Sequence, residues 1–291
     1  IGSRYGSMKQ VDHFGPSGET IIDYSVYDAI KAGFGKVVFI ISANFEENFN
    51  NSFRKRFPKE INIDYAIQDL KDIPTGYTIP ANRNKPWGTG HAVLAARSKV
   101  HEPFAVVNGD DFYGPASYGE LFSFLFPLTD ERHNEYCLVG YPLEKTLSKF
   151  GLVSRGICQL DANDYLKGIQ ERTKIGLSGK RIVWTDEGGS DQPLDPSTIV
   201  SMNMFGFTPS IFQYLEEYFE RFMQDDSDNP GAEFFLPTVV NHIIEKGEVK
   251  VKVLRANSQW FGVTYKEDKP FVSGELARLA ESGTYPKNLW G

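Results

Sequence analysis

The chain has 291 residues, of which 41% are hydrophobic and 24% charged, with a formal net charge of −7. That balance supports a large core and excludes disorder, and an acidic chain without a lysine or arginine block excludes a general nucleic-acid binder. No apolar run approaches the roughly 20 residues of a membrane helix, no charged-then-apolar leader opens the sequence, and the cytoplasm is the default location.

The first stretch, Ile1-Gly2-Ser3-Arg4-Tyr5-Gly6-Ser7-Met8-Lys9, is a glycine-bearing loop with one arginine and one lysine. Its glycines permit close backbone approach to an anion. By itself it reads equally as a basic terminal tail. Apolar residues from Glu19 to Ala32 recur at helical spacing and stop at Gly33, where a helix C-terminal glycine is expected. The β-branched and aromatic run Lys36–Ile41 predicts a buried parallel strand. A helix is expected over Glu46–Phe57, stopped before Pro58, and an alternating strand over Ile61–Ile67. Residues Asp69 to Trp87 form a long polar connection of the kind that belongs to binding sites.

Helices are further expected over Gly90–Lys99 and Tyr118–Phe126, and strands over Phe104–Val107 and Tyr136–Tyr141. This alternation predicts a mostly parallel sheet covered on both faces. Beyond Phe150 the rhythm turns β-rich: strands over Leu152–Cys158 and Tyr165–Gln170, a polar mobile excursion or hairpin over Lys174–Ser197, and a strand over Thr198–Phe207. A helix follows from Pro209 to Met223, then a helix over Phe235–Glu245, strands over Val249–Leu254 and Gln259–Val263, and a last helix over Phe271–Ser282. Cys137 and Cys158 lie in apolar strand-like runs, as buried free thiols of a reducing compartment do.

The reading is one α/β domain over 1–291. Residues 1–150 form a Rossmann-like half with a mixed, mostly parallel sheet flanked by helices, and 151–291 form a smaller β-rich, substrate-side half. No internal repeat or low-complexity linker divides them.

Three places carry chemistry. Asn108-Gly109-Asp110-Asp111 follows a buried strand, and ligands of open α/β sheets bind at carboxyl ends of strands. Asp110, ahead of Asp111, is the candidate metal ligand; the competing reading is a solvated turn. Pro86-Trp87-Gly88-Thr89-Gly90-His91-Ala92 joins the long loop to a helix. It can cap that helix and also read a nucleobase edge, while His91 reads as structural. Glu171-Arg172 ends a strand and Asn203 lies within one. No Ser/His/Asp set, zinc cluster or nucleophilic cysteine is present in the pattern.

Taken in order, G-S-R-x-G-x-x-K-Q, G-T-G-H-A and G-D resemble the sugar-nucleotidyltransferases, the nucleoside-diphosphate-sugar pyrophosphorylases such as the UTP–glucose-1-phosphate uridylyltransferases. The K-Q end of the loop is also similar to the cytidylyltransferases of that superfamily. Gly151-Leu152-Val153, Glu171-Arg172-Thr173 and Met202-Asn203 fall where the family has its sugar-binding segments, so the resemblance covers nearly the whole chain.

The resemblance implies transfer of a nucleotidyl group from an NTP, expected to be UTP, to a sugar-1-phosphate, expected to be glucose-1-phosphate, releasing pyrophosphate. It implies that Gly2, Ser3 and Gly6 hold the triphosphate, which Arg4 and Lys9 neutralise during attack on the α-phosphorus. Gln68, Gly88 and Thr89 would read the base, Asp110 would bind Mg2+, and Gly151, Glu171, Arg172 and Asn203 would hold the sugar phosphate. Two polyanions must be positioned and neutralised, which needs no nucleophile. The partners implied are an NTP and a sugar phosphate, with no nucleic acid and no membrane; a homo-oligomer is compatible.

Three departures accompany the resemblance. The family's first strand would precede Ile1. Gly262 stands where the family has an aspartate as second metal ligand, leaving Asp268 or Glu267 to compensate or Asp110 and phosphates alone to hold one metal. Arg172 stands for the family's lysine, a bidentate fork for a point charge. Two further readings remain: a cytidylyltransferase acting on a non-sugar phosphate, and a non-catalytic nucleotide-binding regulator on the same fold.

Overall fold

A computed structural model describes residues 12–128, 134–255, 258–263 and 267–291. Helix α1 (Ile21–Ala32) begins where the Asp23 carboxylate accepts the Thr20 backbone N–H at 2.7 Å, and it ends at Gly33 with φ 113°. That left-handed conformation suits glycine and closes the helix as its sequence predicts. Strand β1 (Lys36–Ile41) pairs parallel with β2 (Asn62–Ile67). Between them the expected long helix is instead α2 (Glu46–Asn51) followed by a 3-10 turn, Phe53–Arg56. Asn48, Asn50, Asn51 and Ser52 are weak helix formers whose side chains compete for the backbone, and Ser52 leaves helical geometry at φ −131°. Phe49, Phe53 and Phe57 still pack beneath β1 and β2.

Helix α3 (Thr89–Ala95) precedes β3 (Phe104–Val106), β4 (Asp111–Phe112) and α4 (Pro115–Leu125), which has proline in its first turn. The β-rich half follows as β5 (Glu135–Pro142), β6 (Val153–Leu160), β7 (Leu166–Ser178), β8 (Arg181–Thr185), β9 (Asp191–Leu194) and β10 (Ile199–Phe207). Helices α5 (Ile211–Asp226) and α6 (Leu236–Glu245), strands β11 (Lys250–Arg255) and β12 (Phe261–Gly262), and helix α7 (Asp268–Glu281) complete the order. Among the described residues no helix is long and apolar enough to cross a membrane.

The main sheet runs β11-β5-β10-β6-β7-β8-β9, with β3 also paired to β10. The α/β class and the mixed sheet match the sequence reading. Among the described residues, however, parallel pairing is limited to β1 with β2 and β11 with β5; β10 pairs antiparallel with β5, β6 and β3, and β6 to β9 form antiparallel hairpins. Short connections within residues 160–191 leave no room for the crossovers that parallel strands need. The polar excursion over 174–197 is these hairpins. The strand expected over Gln259–Val263 is reduced to β12, which pairs with β4.

Strand β1 is half-buried rather than buried, with Ile40 38% exposed. Its edge away from β2 and the flank of β3 line one apolar cavity of about 1240 Å3, together with Val26 of α1 and Phe122 of α4.

The decisive irregularity is in β10. Its first residues pair with β6 (Val200 with Ile157, Ser201 with Gly156) and its last with β3 (Phe205 with Val106, Phe207 with Phe104). On its other side β5 runs alongside both halves, with a register shift between Ser201 and Phe205. Within that bulge Asn203 has φ 59°, a left-handed conformation that costs an L-residue about 1–2 kcal/mol and that asparagine tolerates best after glycine. Asn203→Gly is expected to keep stability within about 0.5 kcal/mol, whereas β-branched Asn203→Val loses about 1–3 kcal/mol; urea midpoints of the two variants check this.

The C-terminal segment is tied to α1 by a buried acid. Tyr285 donates to Asp28 Oδ2 at 2.8 Å, and burial pushes the Asp28 carboxyl from 3.8 up to about 7, against the lowering effect of that bond. The unfolded chain gives up this proton near pH 3.8 and the folded chain near pH 7. The folded state therefore binds more protons between those values, and the contribution, complete below the lower value, is lost as pH rises. Asp28→Asn is expected to remove a decline on the order of a few kcal/mol and to be more stable than the parent at about pH 7.5 but not at about pH 4; urea unfolding at both pH values checks the sign.

Candidate active site

The fork at which β3 and β6 leave β10 opens a polar cavity of about 220 Å3. Asn108 and Asp110 line it from the turn after β3, Asp111 from the start of β4, Ser154, Arg155 and Gly156 from β6, Glu171 from β7, Ser201 and Asn203 from β10, and Trp260 from just before β12. Three predicted residues, Asp110, Glu171 and Asn203, are therefore brought together although up to 93 positions separate them in sequence. The left-handed turn at Asn203 lets one residue of a strand project where strand alternation would not send it. Gly151, in the loop before β6, lies outside the lining. So does Arg172, whose guanidinium rests 4.0 Å from the centre of the Trp184 ring on β8.

Asp111 is the more deeply held of the two adjacent carboxylates. Asn108 Nδ2 donates to its Oδ2 at 2.9 Å, and the Tyr113 hydroxyl lies 3.3 Å from the same oxygen. That hydroxyl accepts from Asn108 N at 3.1 Å and donates to the Met202 carbonyl at 2.8 Å, so it fastens the turn to the β10 bulge. Burial first, and the Asp110 charge second, raise the Asp111 carboxyl to about 7. Burial also raises Glu171, and Arg155 partly opposes this.

Gly262 stands directly opposite Asp111 in the β12–β4 pair, next to Phe261 and Phe112 stacked at 4.3 Å. A Cβ at 262 would come within 2.5 Å of Asp111 Oδ1 and 2.9 Å of Trp260. The Asp111 carboxylate thus occupies the room that a side chain at 262 would need. Asp268 is buried at the start of α7 and accepts from Ser148 Oγ at 3.3 Å, and Glu267 is the N-cap residue of that helix; neither lines the cavity.

Among the described residues no group of three or more His, Cys, Asp or Glu could by itself hold a metal ion. Asp110 and Asp111 are neighbouring carboxylates lining one cavity, the oxygen donors that a magnesium ion takes when phosphate oxygens and water complete its shell.

The base-reading candidates cluster at the carboxyl ends of β1 and β2. Gln68 N–H bonds the Ile41 carbonyl at 2.9 Å, and its Nε2 donates to the Gly88 carbonyl at 2.9 Å and lies 3.3 Å from His91 Nδ1. His91 is fully buried, with Nε2 2.8 Å from the Asp72 carbonyl, and burial lowers its pKa. A neutral ring that donates to Asp72 and accepts from Gln68 meets both contacts, so His91 is structural, as its sequence setting predicts. Gly88 has φ 112°, and a Cβ there would meet the Phe234 backbone at 2.6 Å. Thr89 Oγ1 accepts the Leu236 N–H at 3.0 Å, spending the hydroxyl on the start of α6. The long 69–87 connection is pinned: Arg83 lies 3.6 Å over the Trp87 ring and donates to the Pro86 and Ala232 carbonyls at 3.0 and 2.8 Å. Asn108 lines both this larger cavity, which Gln68 also borders, and the polar one.

Gly2, Ser3, Arg4, Gly6 and Lys9 lie outside the described residues. Residues that sequence reasoning passed over are Asn108, Tyr113, Ser154, Arg155, Ser201 and Trp260. For Arg155 a signal existed, a charge inside an otherwise apolar alternating strand. Tyr113 carried none.

Comparisons with known proteins bear on the fold and the family. The chain is 28% identical over 206 residues to UTP–glucose-1-phosphate uridylyltransferase of Bacillus subtilis (strain 168), covering 67% of this chain and 62% of that protein, so the match spans about three fifths of the relative's length. The crystal structure of HddC from Yersinia pseudotuberculosis superposes with a TM-score of 0.56 at 15% identity, covering 94% of this chain and 95% of that one. The inositol-1-phosphate CTP transferase from T. maritima gives a TM-score of 0.53 at 14% identity over 94% and 91%. Residues 3–264 match the nucleotidyl transferase family, and with nine-tenths of its length so matched the chain belongs to that family.

Proposed function

We propose that this chain transfers a nucleotidyl group from an NTP, UTP first, to a sugar-1-phosphate, glucose-1-phosphate first, with release of pyrophosphate. The observation that carries the reading is the convergence of Asp110, Asp111, Glu171, Asn203 and Ser154 in one polar cavity, joined through Asn108 to the cavity that Gln68 borders. A hydroxyl-rich ligand suits that lining, since carboxylate, amide and hydroxyl groups both accept and donate.

In this reading Asp110 and Asp111 hold Mg2+, which when bound offsets phosphate charge. Glu171 accepts from sugar hydroxyls, and the Asn203 amide, fixed by its left-handed backbone, reads a further one. Gln68, locked by Gly88 and His91, presents its amide to the base. Arg4 and Lys9 neutralise the triphosphate as the sugar phosphate oxygen attacks the α-phosphorus and pyrophosphate leaves. No covalent intermediate is called for; positioning and charge neutralisation supply the rate.

Incubation with UTP, glucose-1-phosphate and Mg2+ is expected to release pyrophosphate, and repetition with each NTP and with several sugar and polyol phosphates identifies the pair. No turnover with any pair overturns the proposal; CTP preference with a non-sugar phosphate would reassign the substrate. Asp110→Asn is expected to abolish the Mg2+ dependence of nucleotide binding, measured calorimetrically. Lys9→Ala is expected to lower kcat by about 100-fold or more with a much smaller change in UTP affinity. Wild-type kcat in that variant would remove Lys9 from the mechanism.

A further inference from the structure

The polar cavity is lined by three carboxylates, Asp110, Asp111 and Glu171, and among its described lining residues Arg155 is the one cationic side chain. Arg155 is 8% exposed. Its guanidinium is held by neutral acceptors: Nε donates to Thr146 Oγ1 at 3.1 Å, Nη1 to the Ser154 carbonyl at 2.7 Å and Nη2 to the Thr146 carbonyl. The Trp260 ring covers it at 5.0 Å. These contacts fix the group without cancelling its charge, which acts on Asp111, Glu171 and Asp268.

Burying a guanidinium is costly, and an apolar side chain of similar volume is often as stable or more so in such a place. Stability therefore gives no reason for an arginine here. The electrostatics of the cavity do. Gly262 contributes no carboxylate, Asp111 fills the space beside it, and Arg155 stands in the wall that those carboxylates share. Two anions and a divalent cation must be admitted together, and a permanent positive charge lowers the repulsion a phosphate meets from three carboxylates.

We propose that Arg155 is the built-in counter-cation of this cavity, a positioning residue whose fixed charge draws the phosphate of the acceptor substrate and tempers the pull of Asp110 and Asp111 on the divalent ion. The proposal rests on the nucleotidyl-transfer reading for the identity of the acceptor, but not for its sign. A fixed cation beside a metal site weakens metal binding and strengthens anion binding, so its removal moves the two affinities in opposite directions. A merely structural arginine, when lost, weakens both.

The test uses the whole chain and its Arg155→Met and Arg155→Lys variants, first checked for an unchanged circular dichroism spectrum and melting temperature. Mn2+ alone is titrated by electron paramagnetic resonance, and glucose-1-phosphate is titrated calorimetrically at saturating Mn2+. Arg155→Met is expected to bind Mn2+ about tenfold more tightly and glucose-1-phosphate about tenfold more weakly, with Arg155→Lys close to the parent in both. Unchanged Mn2+ affinity in Arg155→Met overturns the proposal, as does a parallel loss of both affinities. If Arg155→Met does not fold, a lysine variant with both affinities of the parent supports the charge role and one with both weakened overturns it. Failure of the parent to bind glucose-1-phosphate, together with tighter Mn2+ binding by Arg155→Met, overturns the substrate reading and supports the charge role. A parent that binds neither probe overturns both.

Discussion

The site depends on one strand changing partners. β10 cannot pair with β6 and β3 along the same edge unless one gives way to the other, and the transition is made at the bulge around Asn203. A regular strand there would close the fork and fill the cavity with the alternating side chains of a continuous sheet. The left-handed residue opens it. Everything assigned to the acceptor side, Ser154 and Gly156 on one arm, Asp110 and Asp111 on the other, Glu171 behind, takes its place from that single irregularity. Tyr113 is the bolt across it, joining Asn108 and the Met202 carbonyl through one hydroxyl.

Local signals in the sequence reached as far as local causes reach. Gly33 ended its helix because a cap acts within a turn of the chain, whereas the helix expected from Tyr118 opens three residues earlier, at Pro115. Asp110 and Asn203 were legible through the order of short motifs. Tyr113 was not, because its hydroxyl matters for a carbonyl at 202, and Arg155 showed only as a charge in an apolar strand, since the carboxylates it faces across the cavity lie far off in the chain. The polar run from 174 to 197 read as a mobile excursion or a hairpin, and it is hairpins. Its solvent-facing hairpins carry the composition of a mobile loop, since exposed antiparallel strands need only one apolar face, and here that face is Ile175, Ile182 and Leu194.

Gly262 shows how one missing side chain can be read wrongly in isolation. As a sequence position it marks the loss of a carboxylate. In the fold it marks the space into which another carboxylate projects, because β12 and β4 place Asp111 opposite it. The wall of the cavity opposite Gly262 therefore still carries an acidic side chain. The cation in that lining, Arg155, is the complementary charge.

Among the described residues β1 and β2 pair only with each other. Gln68 follows β2 of the small two-stranded sheet, whereas Glu171 and Asn203 lie on β7 and β10 of the large one, and no ladder of backbone hydrogen bonds among the described strands joins the two sheets. Their separation is set by the apolar walls of the cavity between β1 and β3 and by the pinned Trp87–Phe234 crossing. Side-chain packing yields to load more readily than a ladder does. Among the described residues, the spacing between Gln68 and the polar cavity is therefore set by side-chain packing and not by a ladder.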